Sequence, residues 1–562
     1  MIKPTGKIKH LGVYLDDSLT FHAYTDDAAA RGSQCLGVLS ALRHNHRGLS
    51  TYTALHLIRT AFLPKILWAS PVWWTGSQHI LTRLEPIYHH TLRWASGLPA
   101  YTAIRKLLLL TRSPPLGAIL NHLSARYAIR LMFAAADHPL QEYIELVSRQ
   151  ISQPWLNARG PQGTGTGTGT GREVHYPTLR RPMSLVARHL RAGEILEDTH
   201  IAGPSPTPPF PISMARLEDP TEGPQQHRDH LQKLPEGTVL LYTDGSKSDR
   251  HRCGSAWTIY HNRYWQHASD TPGPELASGY CCIGDKSEVY DAELHAIQEG
   301  LLFLASTEGV PGNLVVCVDN QAALMTLAGG NPNGTEYAQH TLNTIGLLQG
   351  RGWSVSGLWT PAHCGIPGNE RADTLAKLGS QSAALCQHTR VTRTWLQAQV
   401  RQRLMVEWTD QFPREPQFPV TPSTKFPPDL RKHSPASLQA LFRLQSRTTP
   451  SDPFPNEQPE RCACGTAPRT SQHLLLACPL LQDARMDLIP PTTPAPDPSQ
   501  PPPPVDGLSF NLARTPALIA FLRQTGLGFV RDVRDRLATD DLPEGDDLDI
   551  GPIGSLSLDP DI

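Results

Sequence analysis

Regular spacing of hydrophobic residues marks a folded region in the middle of this chain. The runs Val239–Thr243 and Leu314–Val318 are almost continuously apolar, as buried strands are, and Ser287–Ser306 between them has helical spacing. The first three predicted strands follow one another closely, and helices separate the later ones. We therefore predict an α/β fold, with a mixed five-stranded sheet and flanking helices. The predicted strands are Thr238–Thr243, Gly254–Tyr260, Arg263–Ala268, Leu314–Val318 and Trp353–Trp359.

Helical spacing also dominates residues 1–150, which we predict to be a helical domain that begins with a short strand, Lys9–Leu15. Pro64 is expected to kink or break one helix, Thr53–Trp74, because proline lacks a backbone donor and clashes with the preceding turn. Further helices are predicted at Leu81–Leu98, Leu116–Phe133, Thr392–Phe412, Ser437–Leu444 and Pro516–Leu537.

Two regions lack this periodicity and are rich in proline or glycine. Residues 151–233 include a glycine–threonine tract, and residues 486–562 combine a proline-rich segment, a short helix and an acidic tail. Such segments bury too little apolar surface to offset their chain entropy, so we predict disordered linkers there. The other predicted domains are the helical region at 1–150, the central domain at 234–380, a helical connector at 381–455 and a cysteine–histidine motif at 456–485.

Charge and cysteine content narrow the class of protein. The net charge is −1, yet residues 1–150 hold 16 lysines and arginines against 8 acids, a surplus that suits a phosphate backbone. Ten cysteines in 562 residues do not indicate a disulfide framework. We find neither a signal peptide nor an apolar run near the roughly 20 residues that a membrane span requires. We therefore expect an intracellular protein of the nucleus or cytoplasm that does not contact membranes.

Four acidic residues lie at positions that would hold their side chains still. Asp244 and Asp319 each follow an apolar run, Glu293 lies inside the helical stretch, and Asp373 lies where a later helix begins. Taken singly, each is more typical of a turn or a solvated surface. Together they predict a cage for hard divalent cations, which prefer oxygen ligands. Two such ions can clamp a phosphodiester during in-line attack by water.

Four ordered motifs around these acids resemble type 1 ribonuclease H, and most closely the version carried by non-LTR (LINE-type) retrotransposons. The resemblance spans about Leu234 to Ser380, roughly a quarter of the chain. The motifs are Thr243–Ser246, Asp291–Leu294, Val318–Asn320 and His363–Asp373.

The resemblance implies the ribonuclease H fold and hydrolysis of the RNA strand of an RNA–DNA hybrid. In that family pattern, Asp244 bridges two Mg²⁺ ions, with Mn²⁺ as a substitute. Glu293 and Asp319 bind one ion, and Asp373 binds the other. His363 assists proton transfer and product release, a task that suits imidazole because it titrates near neutral pH.

Contacts to nucleic acid are implied by position in the same pattern. They involve the backbone at Gly245 and Ser246 and the side chains of Asn320 and Gln321. Contacts to 2′-hydroxyl groups would distinguish RNA from DNA. The central domain has no obvious basic, tryptophan-rich segment for holding the hybrid, so neighbouring domains are expected to contribute.

The first 150 residues resemble the retrotransposon family less specifically. Lys9–Val13 resembles the segment that follows the catalytic palm of a reverse transcriptase, and the rest resembles its thumb and connection. The paired aspartates of a palm are absent, because Asp16 and Asp17 follow this segment and are interpreted as turn residues. We therefore expect the C-terminal part of a larger polyprotein or, alternatively, a gene model that starts late.

A second candidate metal site follows the pattern C-x-C-x8-H-x4-C. Three thiolates and an imidazole suit tetrahedral zinc, and Gly465 allows a turn after the first pair. We expect a short helix to carry the histidine and the last cysteine. Related elements carry a similar cluster, so a zinc knuckle that helps to hold nucleic acid is predicted, with uncoordinated cysteines as the alternative. The candidate ligands are Cys462, Cys464, His473 and Cys478.

The leading hypothesis is thus a Mg²⁺-dependent ribonuclease H that removes template RNA after reverse transcription. The alternatives are a nucleic-acid-binding remnant without turnover and an active reverse transcriptase, against which the missing palm argues. The sequence predicts no oligomeric state.

Overall fold

The computed structural model describes residues 6–42, 49–133, 139, 195–196, 210–213, 222–262, 274–307, 310–329, 335–382, 390–412, 420–449, 458, 460–486, 488 and 515–527. The predicted strand Arg263–Ala268, most of the linker 151–233 and the acidic tail lie outside these residues. The chain forms two compact units, one of residues 1–124, 167–181 and 402–562, the other of residues 125–166 and 182–401.

The secondary structure is as follows. The strands are β1 (Lys7–His10), β2 (Val13–Asp16), β3 (Ile195–Leu196), β4 (Ile212–Ser213), β5 (Val239–Lys247), β6 (Cys253–His261), β7 (Ala277–Gly284), β8 (Asn313–Val318), β9 (Ser354–Trp359) and β10 (Arg390–Val391). The helices up to the end of the central region are α1 (His22–Ser40), α2 (Thr51–Leu57), α3 (Leu63–Ile66), α4 (Ser70–Trp73), α5 (Gln78–Ser96), α6 (Ile104–Leu110), α7 (Leu116–Met132), α8 (Gly223–Gln232), α9 (Val289–Ser306), α10 (Gln321–Ala328), α11 (Glu336–Gly350) and α12 (Pro367–Gln381). The remaining helices are α13 (Arg393–Gln411), α14 (Pro428–Arg431), α15 (Pro435–Ser446), α16 (Ser471–Leu476), α17 (Gln482–Met486) and α18 (Thr515–Thr525).

A mixed sheet in the order β4-β9-β8-β5-β6-β7 forms the centre of the second unit. The pairs β5–β6 and β6–β7 are antiparallel, whereas β5, β8, β9 and β4 run parallel. The prediction of a mixed α/β fold with flanking helices is confirmed, but the count of five strands is wrong. The sixth strand, β4, lies in the segment predicted as a linker, where Phe210 is buried beside it. A two-residue strand has no alternation that a sequence pattern could reveal.

The edge strand β7, which follows β6 in the chain, was not included in the sequence prediction. Its first half alternates between half-buried and exposed positions, and its second half is buried. Two glycines and two adjacent cysteines interrupt the pattern of β-branched and aromatic residues that usually signals a strand.

Alternating residues of the central strands face two separate layers of helices. Leu241 and Val316 pack in one cluster with residues of α9, α10 and α11. Leu240 and Tyr242 pack in another with residues of α8 and of the segment that begins α12. The period of two in the strands therefore places a helical layer on each face of the sheet. These layers position the site described below.

The first unit is helical around one hydrophobic core, with a two-stranded hairpin at its start. Leu11 and Gly12 have positive φ angles of 45° and 86°, so the predicted strand Lys9–Leu15 is in fact two strands that turn at these residues. The predicted helix Thr53–Trp74 is divided among α2, a π-helical turn at Ile58–Phe62, α3 and α4. Pro64 lies in the first turn of α3, where its missing N–H is tolerated.

Within the described part of the chain, every helix is too short or too polar to cross a lipid bilayer.

Candidate metal sites

The sheet and one close helix contact bring three of the predicted acids together. Thr243 of β5 is paired in register with Val318 of β8, so Asp244 and Asp319 occupy the next positions on adjacent strands. Asp244 lies within β5 rather than at its end, because the strand continues to Lys247. A Cβ atom on Gly245 would lie 2.8 Å from the backbone nitrogen of Glu293, so only glycine lets α9 approach this closely.

These three carboxylates form a compact group. Asp244, Glu293 and Asp319 each offer an oxygen within 4.8 Å of the other two, and the first two residues are buried. The Oε2 atom of Glu293 is buried without a hydrogen-bond partner in the described part of the chain. A buried carboxylate oxygen that accepts from no donor is open to a cation.

Burial and mutual repulsion raise the pKa values of the group. Burial raises the pKa of Asp244 to about 8, and the charges of Asp319 and Asp373 add to the shift. Burial, followed by Asp244 and Asp319, holds the pKa of Glu293 well above its usual range. The pKa of Asp319 is raised by burial, although a hydrogen bond from Asn369 and the charge of His363 oppose the shift. Like charges that are crowded together in this way favour either protonation or a cation.

The fourth predicted acid joins this group from the opposite layer. Asp373 of α12 lies close enough to Asp244 for its charge to raise the pKa of Asp244. It also forms a second potential cation group with His363 and Glu370, whose ligand atoms lie within 4.8 Å of one another. Lys377, one helical turn further along α12, forms a 2.6 Å ion pair with Asp373.

The loop before α12 places His363 at the edge of the site. His363 is exposed and has a positive φ of 52°, and Gly365 follows with a φ of 76°. The N–H of Gly365 donates to Glu370, which anchors the loop to the helix. Within α12, Gly368 lies where a Cβ atom would fall 2.4 Å from the ring of Tyr242, so a side chain here would push the helix away from β5.

This set of residues fits hard divalent cations. The ligand atoms are carboxylate oxygens with one imidazole at the edge, which suits Mg²⁺ or Mn²⁺ better than softer metals. Five predicted site residues therefore converge: Asp244, Glu293, Asp319, Asp373 and His363.

The four residues predicted to contact nucleic acid have different surroundings in the structure. The backbone of Gly245 lies against α9, and its N–H lowers the pKa values of Asp244 and Glu293, so it supports the acidic group. The side chain of Asn320 caps α10 by accepting from Ala323, whereas Gln321 beside it is exposed.

Ser246 is the one predicted contact that lines a groove beside the acidic group. This open groove encloses about 520 Å³ and is bordered by the loop between β5 and β6 and by the end of α12. The sequence prediction did not single out this groove, although three of its cations lie within six positions of one another, because the fourth joins them only in the folded unit; the acid Asp249 lines it as well. The basic residues that line it are Lys247, Arg250, Arg252 and Lys377.

Three further residues around the acids were also missed. Asn369 donates to Asp319 over 3.4 Å, and Glu370 and Lys377 contact His363 or Asp373 as described. Asn369 and Glu370 are part of a motif that we singled out, but no sequence signal distinguished their roles.

The cysteines and histidine of the second candidate site also converge, in the first unit. Cys462, Cys464, His473 and Cys478 offer ligand atoms that all lie within 4.8 Å of one another. The sulfurs of Cys462 and Cys478 are 3.7 Å apart, and the sulfur of Cys464 is 3.1 Å from Nε2 of His473. The chain turns at Gly465, which has a φ of 76°.

The local structure differs from the prediction in one respect. Helix α16 carries His473 but ends before Cys478, which follows it by two residues. A hydrogen bond from Thr466 is the main cause that lowers the pKa of Cys464 to about 6, whereas burial raises the pKa of Cys478. Three sulfurs and one imidazole at these separations fit a tetrahedral zinc ion.

Comparisons with known proteins gave structural likenesses only. No protein family matches the sequence, and no curated protein matches it. RNase H1 from the archaeon Halobacterium salinarum is 21% identical, covers 25% of this chain and 97% of its own, and has a TM-score of 0.20. The N-terminal RNase H domain of a Mycobacterium tuberculosis protein is 17% identical over 26% and 96% of the two chains, with a TM-score of 0.21. LC11-RNase H1, solved in complex with an RNA/DNA hybrid, is 17% identical over 25% and 94%, with a TM-score of 0.20.

Proposed function

We propose that the second unit is a divalent-cation-dependent nuclease that hydrolyses the RNA strand of RNA–DNA hybrids. The observation that carries this proposal is the convergence of Asp244, Glu293 and Asp319 within 4.8 Å, with Asp373 beside them. Two hard cations held side by side stabilise the charge on the attacking and leaving oxygens of an in-line phosphoryl displacement. The motifs resemble those of retrotransposons, so we further propose that the hybrid is a product of reverse transcription.

The chain's own residues take separate parts in this scheme. Asp244 is grouped with Glu293 and Asp319, and its pKa also responds to Asp373, so Asp244 would help to hold both ions. The exposed imidazole of His363 is free to approach the reacting phosphate and carry a proton away.

The groove beside the acids is suited to hold the nucleic-acid backbone. Lys247 and Lys377 are paired with Glu288 and Asp373, so Arg250 and Arg252 are the groove residues proposed to neutralise phosphates, which is the main source of such affinity. Ser246 lines this groove and lies two residues after Asp244, so its backbone remains a proposed contact to the RNA strand. Asn320 and Gln321, on the other side of the acids, are proposed to contact sugar hydroxyls.

We also propose that the cysteine–histidine cluster binds zinc in a structural role. Cys462 and Cys478 are buried in the hydrophobic core of the first unit, together with Leu475 of α16. Arg485 donates to the backbone oxygens of Leu474 and Cys478, which fixes the two ends of this short segment. Because these ligands belong to the core of the first unit, a bound zinc ion would stabilise the fold of that unit, in addition to any contact with nucleic acid.

The nuclease proposal is tested with the full chain and a hybrid labelled on the RNA strand. We expect Mg²⁺-dependent cleavage of the RNA that Asp319→Asn abolishes, because the amide removes one charged ligand from the group. Asp285→Asn is the matched control, since this exposed acid precedes α9 outside the site and should leave cleavage unchanged. Binding of the hybrid without cleavage by the wild type would instead support a nucleic-acid-binding remnant.

A further inference from the structure

A second buried acid on the helix of Glu293 has no part in the scheme above. Asp291 is completely buried in the first turn of α9. Its Oδ2 atom accepts hydrogen bonds from the N–H of Glu288 at 2.8 Å, from the hydroxyl of Thr392 at 2.7 Å, and from the hydroxyl of Thr394. All three donors reach Oδ2, and Oδ1 is buried without a partner in the described part of the chain. Asp291 lies outside the group of Asp244, Glu293 and Asp319, so we do not count it among the ligands of the proposed ions.

The two threonines belong to a segment that is firmly attached to the start of α9. The N–H of Thr392 donates to the carbonyl of Lys286 over 3.1 Å, and its hydroxyl reaches the same carbonyl at 3.3 Å. The ammonium group of Lys286 lies 5.1 Å from the centre of the Trp395 ring. Arg390 forms an ion pair with Glu336 of α11. All of these residues belong to the second unit, although the segment lies beyond the predicted limit of the domain at residue 380.

Strand β5, which carries Asp244, also contacts the first turn of α9. Lys247, three residues after Asp244 on β5, forms a 3.0 Å ion pair with Glu288 at the N-cap of α9. Glu288 and Asp291 also form a capping box, in which each side chain accepts from the other's backbone N–H. The first turn of α9 is therefore fixed both to β5 and to the segment at 390–395. A helix moves as a rigid element, so these contacts determine where Glu293 lies relative to Asp244.

We propose that Asp291, together with Thr392 and Thr394, is a positioning residue for Glu293. The hydroxyls of Thr392 and Thr394 donate to the Asp291 carboxylate, and these hydrogen bonds fix the position of α9 along the sheet. The inference rests on the proposed function, because Glu293 matters only if the acidic group binds cations. It extends the functional unit to Thr392 and Thr394, which the sequence motifs do not include.

The test measures Mn²⁺ affinity of the full chain without nucleic acid, by isothermal titration calorimetry. Thr392→Val with Thr394→Val keeps the side-chain shape but removes both hydroxyls. We expect it to weaken Mn²⁺ binding about tenfold, the lower end of the effect of groups that orient metal ligands. Thr392→Ser with Thr394→Ser restores the hydroxyls and should restore the affinity. Thr409→Val removes an exposed threonine hydroxyl on α13 and should change nothing.

Two further variants make the result decisive. Asp319→Asn identifies the Mn²⁺ bound by the acidic group, and Thr394→Val alone is a milder change if the double variant does not fold. Valine variants that bind Mn²⁺ as the wild type does, even with a lower melting temperature, would overturn the positioning role while leaving the nuclease proposal intact. If Asp319→Asn also binds like the wild type, the proposed cation site itself fails.

Discussion

Asp244 and Glu293 are carboxylates that the fold places where negative charge is unfavourable. Both are buried, and each lies beside another acid, so their pKa values are raised by burial first and by repulsion second. A protein gains nothing for its own stability from such an arrangement, whereas a divalent cation would relieve both effects at once. The unfavourable burial of these charges therefore supports the cation site that we propose.

This arrangement predicts how stability depends on pH when no divalent cation is present. The pKa of Asp244 is about 8 in the folded protein and near 4 in the unfolded chain, so the folded state binds more protons between these values. The free energy of unfolding of the second unit should then fall by about 1–3 kcal/mol as pH rises from about 5 to about 8. Chemical denaturation in EDTA measures this change.

Removing one neighbouring charge provides the check. Asp319→Asn should lessen the loss of stability at pH 8, and Mg²⁺ should reverse it in the wild type but not in the variant. Stability that rises with pH across this window in EDTA would contradict the account of the acidic group.

The contact between α9 and β5 decides whether the acids converge at all. A Cβ atom at Gly245 would lie 2.9 Å from the carbonyl oxygen of Val289 and 3.0 Å from the Cβ of Ala292, besides its contact with the backbone of Glu293. These are backbone or helix-core atoms, which cannot rotate away as the end of a long side chain can. The absence of a side chain at this position is thus a requirement of the site.

Gly245→Ala should therefore push α9 away from the strand. We expect a loss of about 1–3 kcal/mol in the free energy of unfolding, as for other overpacked cores, together with weaker Mn²⁺ binding. Gly312→Ala is the control, because a Cβ atom there would meet nothing within 4 Å. Equal stability and equal Mn²⁺ affinity in the two variants would show that α9 does not depend on this close approach.

The protein as a whole combines two compact units that we propose to bind different metals. The second unit holds the oxygen-rich group, and the first holds the cysteine–histidine cluster within its hydrophobic core. Because hard and soft ligands select different ions, Mg²⁺ and zinc should not compete for the two sites.

Loss of zinc should destabilise the first unit. We expect about one zinc ion per chain by elemental analysis and a lower melting temperature of this unit in Cys478→Ala, because structural zinc contributes directly to folding. Cys35→Ala changes a cysteine of α1 outside the cluster and should retain both zinc and stability. Undiminished zinc content in Cys478→Ala would remove this residue from the site.

The acids could be predicted because four of them, each next to a predicted strand or helix, occur in ordered motifs; singly, each is typical of a turn or a solvated surface. The strand that ends with Val318 and the helix around Glu293 follow from periodicity alone. The groove itself could not be predicted, because Lys377 approaches Arg250 and Arg252 only in the folded unit. The short strand β4 escaped for a similar reason, since its pairing with β9 depends on a distant segment.

The most direct test of the central claim is a crystal of the full chain soaked in Mn²⁺ and measured at the manganese absorption edge. We predict anomalous peaks at coordination distance from the carboxylate oxygens of Asp244, Glu293 and Asp319, with a second ion between Asp244 and Asp373. A structure in which these carboxylates lie apart, or in which no peak falls among them, would contradict the proposed site and the nuclease function built on it.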